Sequence, residues 1–119
     1  MIENIAISGS NYKVEEDFRK YAIKRIGKLD RHLPRDNRKD LVAKIVVTEV
    51  NRDHGNKYEI SVSLDIPGGK VLAAKDEASN VFAGIDIIEA KLDGQIRRFK
   101  TEKTNHNAKK GVLGRLFKK

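Results

Sequence analysis

The sequence predicts an α+β fold, a two-layer sandwich in the order β-α-β-β-β-α with two helices on one face of a four-stranded sheet. Three observations predict it. "KYEISVSLDI" alternates Tyr58, Ile60, Val62, Leu64 and Ile66 with Glu59, Ser61, Ser63 and Asp65, the pattern of a strand with one dry face. Two longer stretches carry apolar residues at helical spacing. Short turn signals separate the remaining strand-like runs, so consecutive strands there run antiparallel.

The elements follow in order. "IENIAIS" is apolar at Ile5 and Ile7 and reads as a first strand, broken by "SGSN". From about Glu15 to Arg31 the residues Phe18, Ala22, Ile26, Leu29 and Leu33 fall in one arc of roughly 80° at ~100° per residue. Acids gather at the start of this helix and bases toward its end, as the helix dipole favours. Pro34 in "LPRDNRKD" closes it into a loop. "LVAKIVVTEVN" is rich in β-branched residues and reads as the second strand, with "RDHGN" as a hairpin connection. "PGG" supplies the next turn and "KVLAAK" the fourth strand. Asp76 is a plausible N-cap for a long helix reaching about Lys100 or beyond, with Ala78, Val81, Ile85, Ile88, Leu92, Ile96 and Phe99 as its buried stripe. The first and second strands, joined through a helix, can pair in parallel by a right-handed crossover.

At 119 residues the chain is expected to form one domain, with a core-bearing unit over 1–102 and a basic flexible tail over 103–119. In the tail, "KKGVLGRLFKK" places Val112, Leu113, Leu116 and Phe117 among lysines, the composition of a membrane-surface or partner-docking helix, though its two glycines favour a disordered arm. There is no cysteine, so thiolate metal sites and disulfides are excluded. No apolar run approaches the ~20 residues of a membrane span, and the start has no basic region before a hydrophobic one. The cytoplasm is the expected compartment.

Charge is strongly segregated. The formal net charge is +8, yet residues 1–17 sum to −3 and 40–90 to −4, while 18–39 hold nine bases against two acids and 91–119 ten against two. That distribution suits a polyanionic partner. On the first helix Lys20, Lys24, Lys28 and Arg31 lie at i, i+4, i+8 and i+11, opposite the apolar arc, and Arg25 flanks it. Like charges at i, i+4 repel by a few tenths of a kcal/mol per pair. A face needed only for solubility would interleave acids. On the second helix Asp86, Glu89 and Asp93 flank the apolar stripe on one side and Lys91, Gln95 and Arg98 on the other. If the helices lie side by side with both basic edges outward, the two sets make one positive surface suited to regularly spaced phosphates. The tyrosines and phenylalanines sit mostly on apolar faces, which favours a folded RNA backbone over stacking on single-stranded bases.

Signs of an enzyme are missing. His32, His54 and His106 share no spacing, no nucleophile motif occurs, and Gly68-Gly69 is a turn rather than a phosphate loop. The pairs Glu15-Glu16 and Asp76-Glu77 are both expected at helix starts, where the dipole accounts for them. No cofactor and no metal are expected.

The element order, "KRIGKLDR" on the first helix and "DIPGGKVLAAKDEASNVFAGIDIIEAKLDGQIRRFK" resemble the ribosome hibernation-promoting factor and ribosome-associated inhibitor family. The most specific part is the small-apolar strand leading to Asp76-Glu77, then Ala83, Ile85-Asp86, Lys91-Leu92 and Gln95. The resemblance covers about residues 1–102. It implies a cytoplasmic, non-enzymatic protein that binds the small ribosomal subunit (16S rRNA), blocks the channel of messenger and transfer RNA, and silences ribosomes in starvation or stationary phase. Another hibernation factor is a further candidate partner, and a monomer is expected off the ribosome, with no membrane partner. The resemblance points to Arg25, Lys28, Lys91 and Arg98 as RNA contacts, with Gly94 standing where relatives often carry a base. The rival readings are a free double-stranded-RNA-binding module and a protein- or membrane-docking module acting through the tail.

Overall fold

The structure, a computed structural model, describes residues 1–33, 38, 40–50, 57–67 and 70–108, the last eight by backbone alone. Its order is β1 (Asn4–Ser10), α1 (Glu16–Gly27), a 3₁₀ turn (Lys28–His32), β2 (Val42–Glu49), β3 (Tyr58–Asp65), β4 (Val71–Ala78) and α2 (Val81–Ala108). The sheet runs β1-β2-β3-β4, with β1 parallel to β2 and the other pairs antiparallel. The expected two-layer α+β sandwich is therefore the observed one. The hairpin at "RDHGN", the glycines of "PGG", most of the "LPRDNRKD" loop and the tail from residue 109 lie outside the described residues.

Strand register explains why both helices share one side. Ala43, Ile45 and Val47 stand opposite Leu64, Val62 and Ile60, and the first two of those rows continue into Leu72 and Ala74. All are buried in one cluster with Phe18, Ala22 and Ile26 of α1 and Val81, Ile85, Ile88, Leu92 and Ile96 of α2. The alternate residues, among them Lys44, Val46, Ser61, Ser63, Ala73 and Lys75, face solvent or are half-buried. With a single apolar face available, α1 and α2 must lie next to each other. Gly84 lets α2 come close to the sheet, since a Cβ there would stand 2.2 Å from Ile60 Cδ1.

α1 is shorter than its periodicity suggests. The Ile2 amide donates to the Gly27 carbonyl at 3.0 Å, the carbonyl that an α-helical continuation would offer to Arg31. The N-terminal ammonium pairs with Asp30 at 3.2 Å, and Gly27 packs under the end of the Met1 side chain, whose Cε would stand 2.7 Å from a Cβ there and would have to move aside for one. The chain tightens into a 3₁₀ turn that still buries Leu29 and, just beyond it, Leu33.

α2 begins later than expected. Asp76 is not its cap: it lies in β4, where its Oδ1 accepts from the Glu77 amide at 2.8 Å. Asn80 is the cap, its Oδ1 accepting from Phe82 N at 2.8 Å and Ala83 N at 3.4 Å. Ala78 belongs to β4 accordingly, and the Asp76-Glu77 pair is not explained by a helix dipole. The alternation Leu72, Ala74, Asp76, Ala78 extends the strand instead, because an inward Asp at a sheet edge is tolerated when a cation reaches it. That cation is Lys91, whose Nζ stands 3.2 Å from Asp76 Oδ2 and 3.4 Å from the Lys75 carbonyl. The Glu77 amide and the paired lysine hold the Asp76 carboxyl below the usual carboxylate range, the amide contributing most.

One turn further along α2, Gln95 completes the cover of β4. Its Nε2 donates to the Ala73 carbonyl at 2.7 Å and its Oε1 accepts from the Ala73 amide at 3.2 Å. Both backbone groups of an edge residue are thus satisfied by one side chain, which leaves less of that edge open to another strand.

Asn80→Ala is expected to lower unfolding stability by about 1 kcal/mol, and Asp76→Ala by less, in urea titrations followed by circular dichroism. The reverse order would restore Asp76 as the cap. Gln95→Ala is expected to cost about 1 kcal/mol in the same titration, from the lost pair of hydrogen bonds. Unchanged stability would show that the amide clamp is idle.

Candidate nucleic-acid interface

α1 and the turn after it carry two kinds of base. Lys20, Lys24, Lys28 and Arg31 are exposed, and no side-chain ion pair or hydrogen bond engages them among the described residues. Arg25 is different. Its Nε lies 3.4 Å from Asp86 Oδ1, its Nη1 lies 3.6 Å from Glu89 Oε1, and its guanidinium sits 5.3 Å above the Tyr21 ring. Tyr21 Oη in turn donates to Asp86 Oδ1. Holding its proton for Asp86 raises the Tyr21 pKa, while the Tyr21 oxygen and the two carboxylates raise that of Arg25.

These contacts fix how the helices face each other. Asp86, Glu89 and Asp93 of α2 look toward α1; Asp93 meets His32 Nε2 at 3.5 Å and Arg97 Nη2 at 3.0 Å. Aromatic packing supports the same approach, with Phe82 edge-on to Tyr21 (5.2 Å between centroids) and to Phe18 (5.9 Å). Tyr12 continues the chain, edge-on to Phe18 and Tyr58, so these rings pack on one another rather than offering stacking platforms.

The acidic edge of α2 therefore borders α1, and the opposite edge, with Lys91 and Gln95, leans over β4. The expectation of one continuous positive plane from both helices is corrected by this arrangement: the body of α2 stands between its own basic edge and the α1 row. Arg98 shares the Lys91–Gln95 flank by periodicity, is exposed, and meets no partner among the described residues. Gly94 has open space where a Cβ would stand.

Between the helices runs a groove of about 680 Å³, lined by Tyr21, Lys24, Arg25, Lys28, Arg31 and His32 from the α1 side and by Glu89, Asp93 and Arg97 from α2. Its α1 wall is the free basic row and its α2 wall is largely acidic. The 3₁₀ turn matters here: at ~120° per residue it sets Arg31 directly in line with Lys28, and His32 lines the groove beside them. Sequence periodicity found the row. It did not find Tyr21, His32 or Arg97 as parts of the site, although Tyr21–Arg25 at i, i+4 was a readable pairing signal. No group of His, Asp and Glu among the described residues is placed to hold a metal ion, and no described helix is long and apolar enough to cross a membrane.

Comparison with known proteins agrees with this frame. Residues 5–104 match the family described as Sigma 54 modulation protein / S30EA ribosomal protein. The chain is 32% identical over 95 residues to a ribosome hibernation promotion factor of Deinococcus radiodurans, covering 80% of this chain and 48% of that one. It is 30% identical over 112 residues to one of Lactococcus lactis subsp. cremoris, covering 93% and 57%. The chain thus spans about half the length of these curated relatives. Among solved structures, the Thermus thermophilus Protein Y N-terminal domain superposes with a TM-score of 0.65 at 29% identity, covering 81% of this chain and 98% of that one. A ribosomal subunit interface protein from Coxiella burnetii shares the fold, with the same TM-score at 20% identity, covering 82% and 98%. The strand–helix–three strands–helix frame and a family match over residues 5–104 lead to one assignment: this chain belongs to the S30EA ribosomal protein family, that of the ribosome hibernation-promoting factors.

Proposed function

We propose that this chain is a ribosome-associated inhibitor that binds the small ribosomal subunit through the α1 row and the adjoining groove, and blocks messenger and transfer RNA by occupying their channel. It acts in the cytoplasm, by occlusion rather than catalysis, without a cofactor, and as a monomer off the ribosome. Another hibernation factor is its candidate partner. The single observation that carries this reading is the unpaired row itself. Arg25, Lys91 and Arg97 each have carboxylate partners, whereas Lys20, Lys24, Lys28 and Arg31 are exposed along one rigid stretch with none among the described residues. Phosphates supply the missing counter-charge, and a fixed helix holds the cations at a constant spacing. Family membership and the names of the relatives support the ribosome as the source of those phosphates.

The residues weigh unequally in this reading. Lys20, Lys24, Lys28 and Arg31 engage phosphate without releasing anything. Arg25 and Lys91 first leave their carboxylates, at little cost for exposed pairs. Gln95 is engaged with β4 and contributes by holding the sheet edge, and Arg98 is free to reach RNA from the far flank. The domain division at residue 102 is proposed as a functional one: α2 continues in backbone to Ala108, past the ribosome-binding unit.

Lys24→Glu with Lys28→Glu is expected to weaken cosedimentation with small subunits by at least ~100-fold in apparent affinity, and to reduce the salt slope by about 2. The fold should be unharmed, because a carboxylate in place of the Lys24 ammonium removes its repulsion with Lys20. Lys91→Glu is a poorer probe, since it sets a carboxylate of α2 against Asp76 of β4. If about six phosphates are neutralised, wild-type affinity falls roughly 10³-fold between 50 and 200 mM salt. A flat salt response, or full binding by the double variant, contradicts the proposal. Equal affinity for a plain RNA duplex would favour a free duplex-binding module instead.

A further inference from the structure

A row of cations facing a row of carboxylates across a groove is a poor seat for a bare phosphate chain. A polyanion lying over Lys24, Lys28 and Arg31 also approaches Glu89 and Asp93, which repel it. Two oxygens on that wall stand out: Glu89 Oε2 and Asp93 Oδ1 are shielded from solvent and accept no hydrogen bond. His32 Nε2 stands 3.5 Å from Asp93 Oδ1 without bonding it. Buried acceptors of this kind need a donor.

We propose that the groove reads an unpaired nucleotide whose base carries an exocyclic amine, with its phosphate on Lys24 and Lys28 and its amine donating to Glu89 and Asp93. This rests on the RNA-binding reading above and adds base selection to it. The groove, at about 680 Å³, is within the range of small-molecule sites. The cations now paired with the other oxygens of these carboxylates, Glu89 Oε1 and Asp93 Oδ2, are surface groups: the Arg25 side chain is 45% exposed and that of Arg97 is 72% exposed. As phosphates draw these guanidiniums off, Glu89 and Asp93 lose their partners and take amine donors in exchange. A carboxylate accepts from cytosine N4 but repels the O4 carbonyl of uracil, so the two pyrimidines are told apart on an identical backbone. Selection by hydrogen bonds to a base edge does not require a stacking ring, and the rings here are already packed together.

The test uses the full chain and two probes, cytidine and uridine dodecamers at pH 7.5, with binding followed by fluorescence anisotropy at 50 and 150 mM salt. Wild type is expected to bind the cytidine oligomer roughly five- to tenfold more tightly than the uridine oligomer. Glu89→Gln with Asp93→Asn should bring the two within about twofold while tightening uridine binding, because two repelling charges have gone. Equal affinities in wild type, or a cytidine preference that survives in the variant, overturns base selection. Salt-dependent but indifferent binding would leave the phosphate reading standing alone. Salt-independent binding of both oligomers would overturn the phosphate contacts as well; undetectable binding of both would overturn base selection alone, since cosedimentation with small subunits tests the ribosome reading separately. Unfolding curves of the variant guard the comparison against a lost fold.

Discussion

Everything in this molecule follows from a sheet that is apolar on one face only. Alternation in β2, β3 and β4 sends Ile45, Val62 and their row neighbours to the same side, and that side alone has a core to build. Two amphipathic helices must share it, so they become neighbours along their length. Once they are neighbours, whatever each carries on its flank is brought into contact with the other. For α2 that flank is Asp86, Glu89 and Asp93, and for α1 with its 3₁₀ turn it is Tyr21, Arg25 and His32. The remaining face of α1, pointing away from the core, keeps its cations without internal partners among the described residues.

Pairing across the helix interface separates bases that fasten the structure from bases that are available to a ligand. Arg25 joins the helices through two carboxylates and a tyrosine ring, and Lys91 with Gln95 fastens α2 to the edge of β4. These side chains look alike in the sequence and differ in what surrounds them. Surface ion pairs of such exposure add little stability individually; their role is to orient. The arrangement also gives the groove walls of opposite sign, a feature that a uniformly basic plane would lack and one that favours a ligand with both phosphates and donor groups.

Much of this was legible in residue spacing. The 3.6 period placed Phe18, Ala22, Ile26, Val81, Ile85, Ile88, Leu92 and Ile96 in the core, and the period of two placed Ile60, Val62 and Leu64 there. The unmixed row Lys20, Lys24, Lys28, Arg31 was visible for the same reason. What spacing could not supply was partnership across elements. Asp76 has the chemistry of a cap, yet Asn80 lies nearer the first helical residue and Asp76 is recruited by Lys91. Gln95 reads as a polar flank until β4 is seen beneath it. The helix ends where Ile2, far away in sequence, takes the Gly27 carbonyl, and only the fold brings those two together.

Lysine footprinting tests the central claim most directly, that the outward face of α1 is the surface laid against ribosomal phosphates. The protein would be acetylated with and without small ribosomal subunits, and each site quantified by mass spectrometry. Protection of Lys20, Lys24 and Lys28, with Lys91 following them and with Lys44 and Lys75 on the open sheet face reacting as before, is the expected result. Protection of Lys44 and Lys75 while the α1 lysines stay reactive would turn the molecule over on its partner and contradict it.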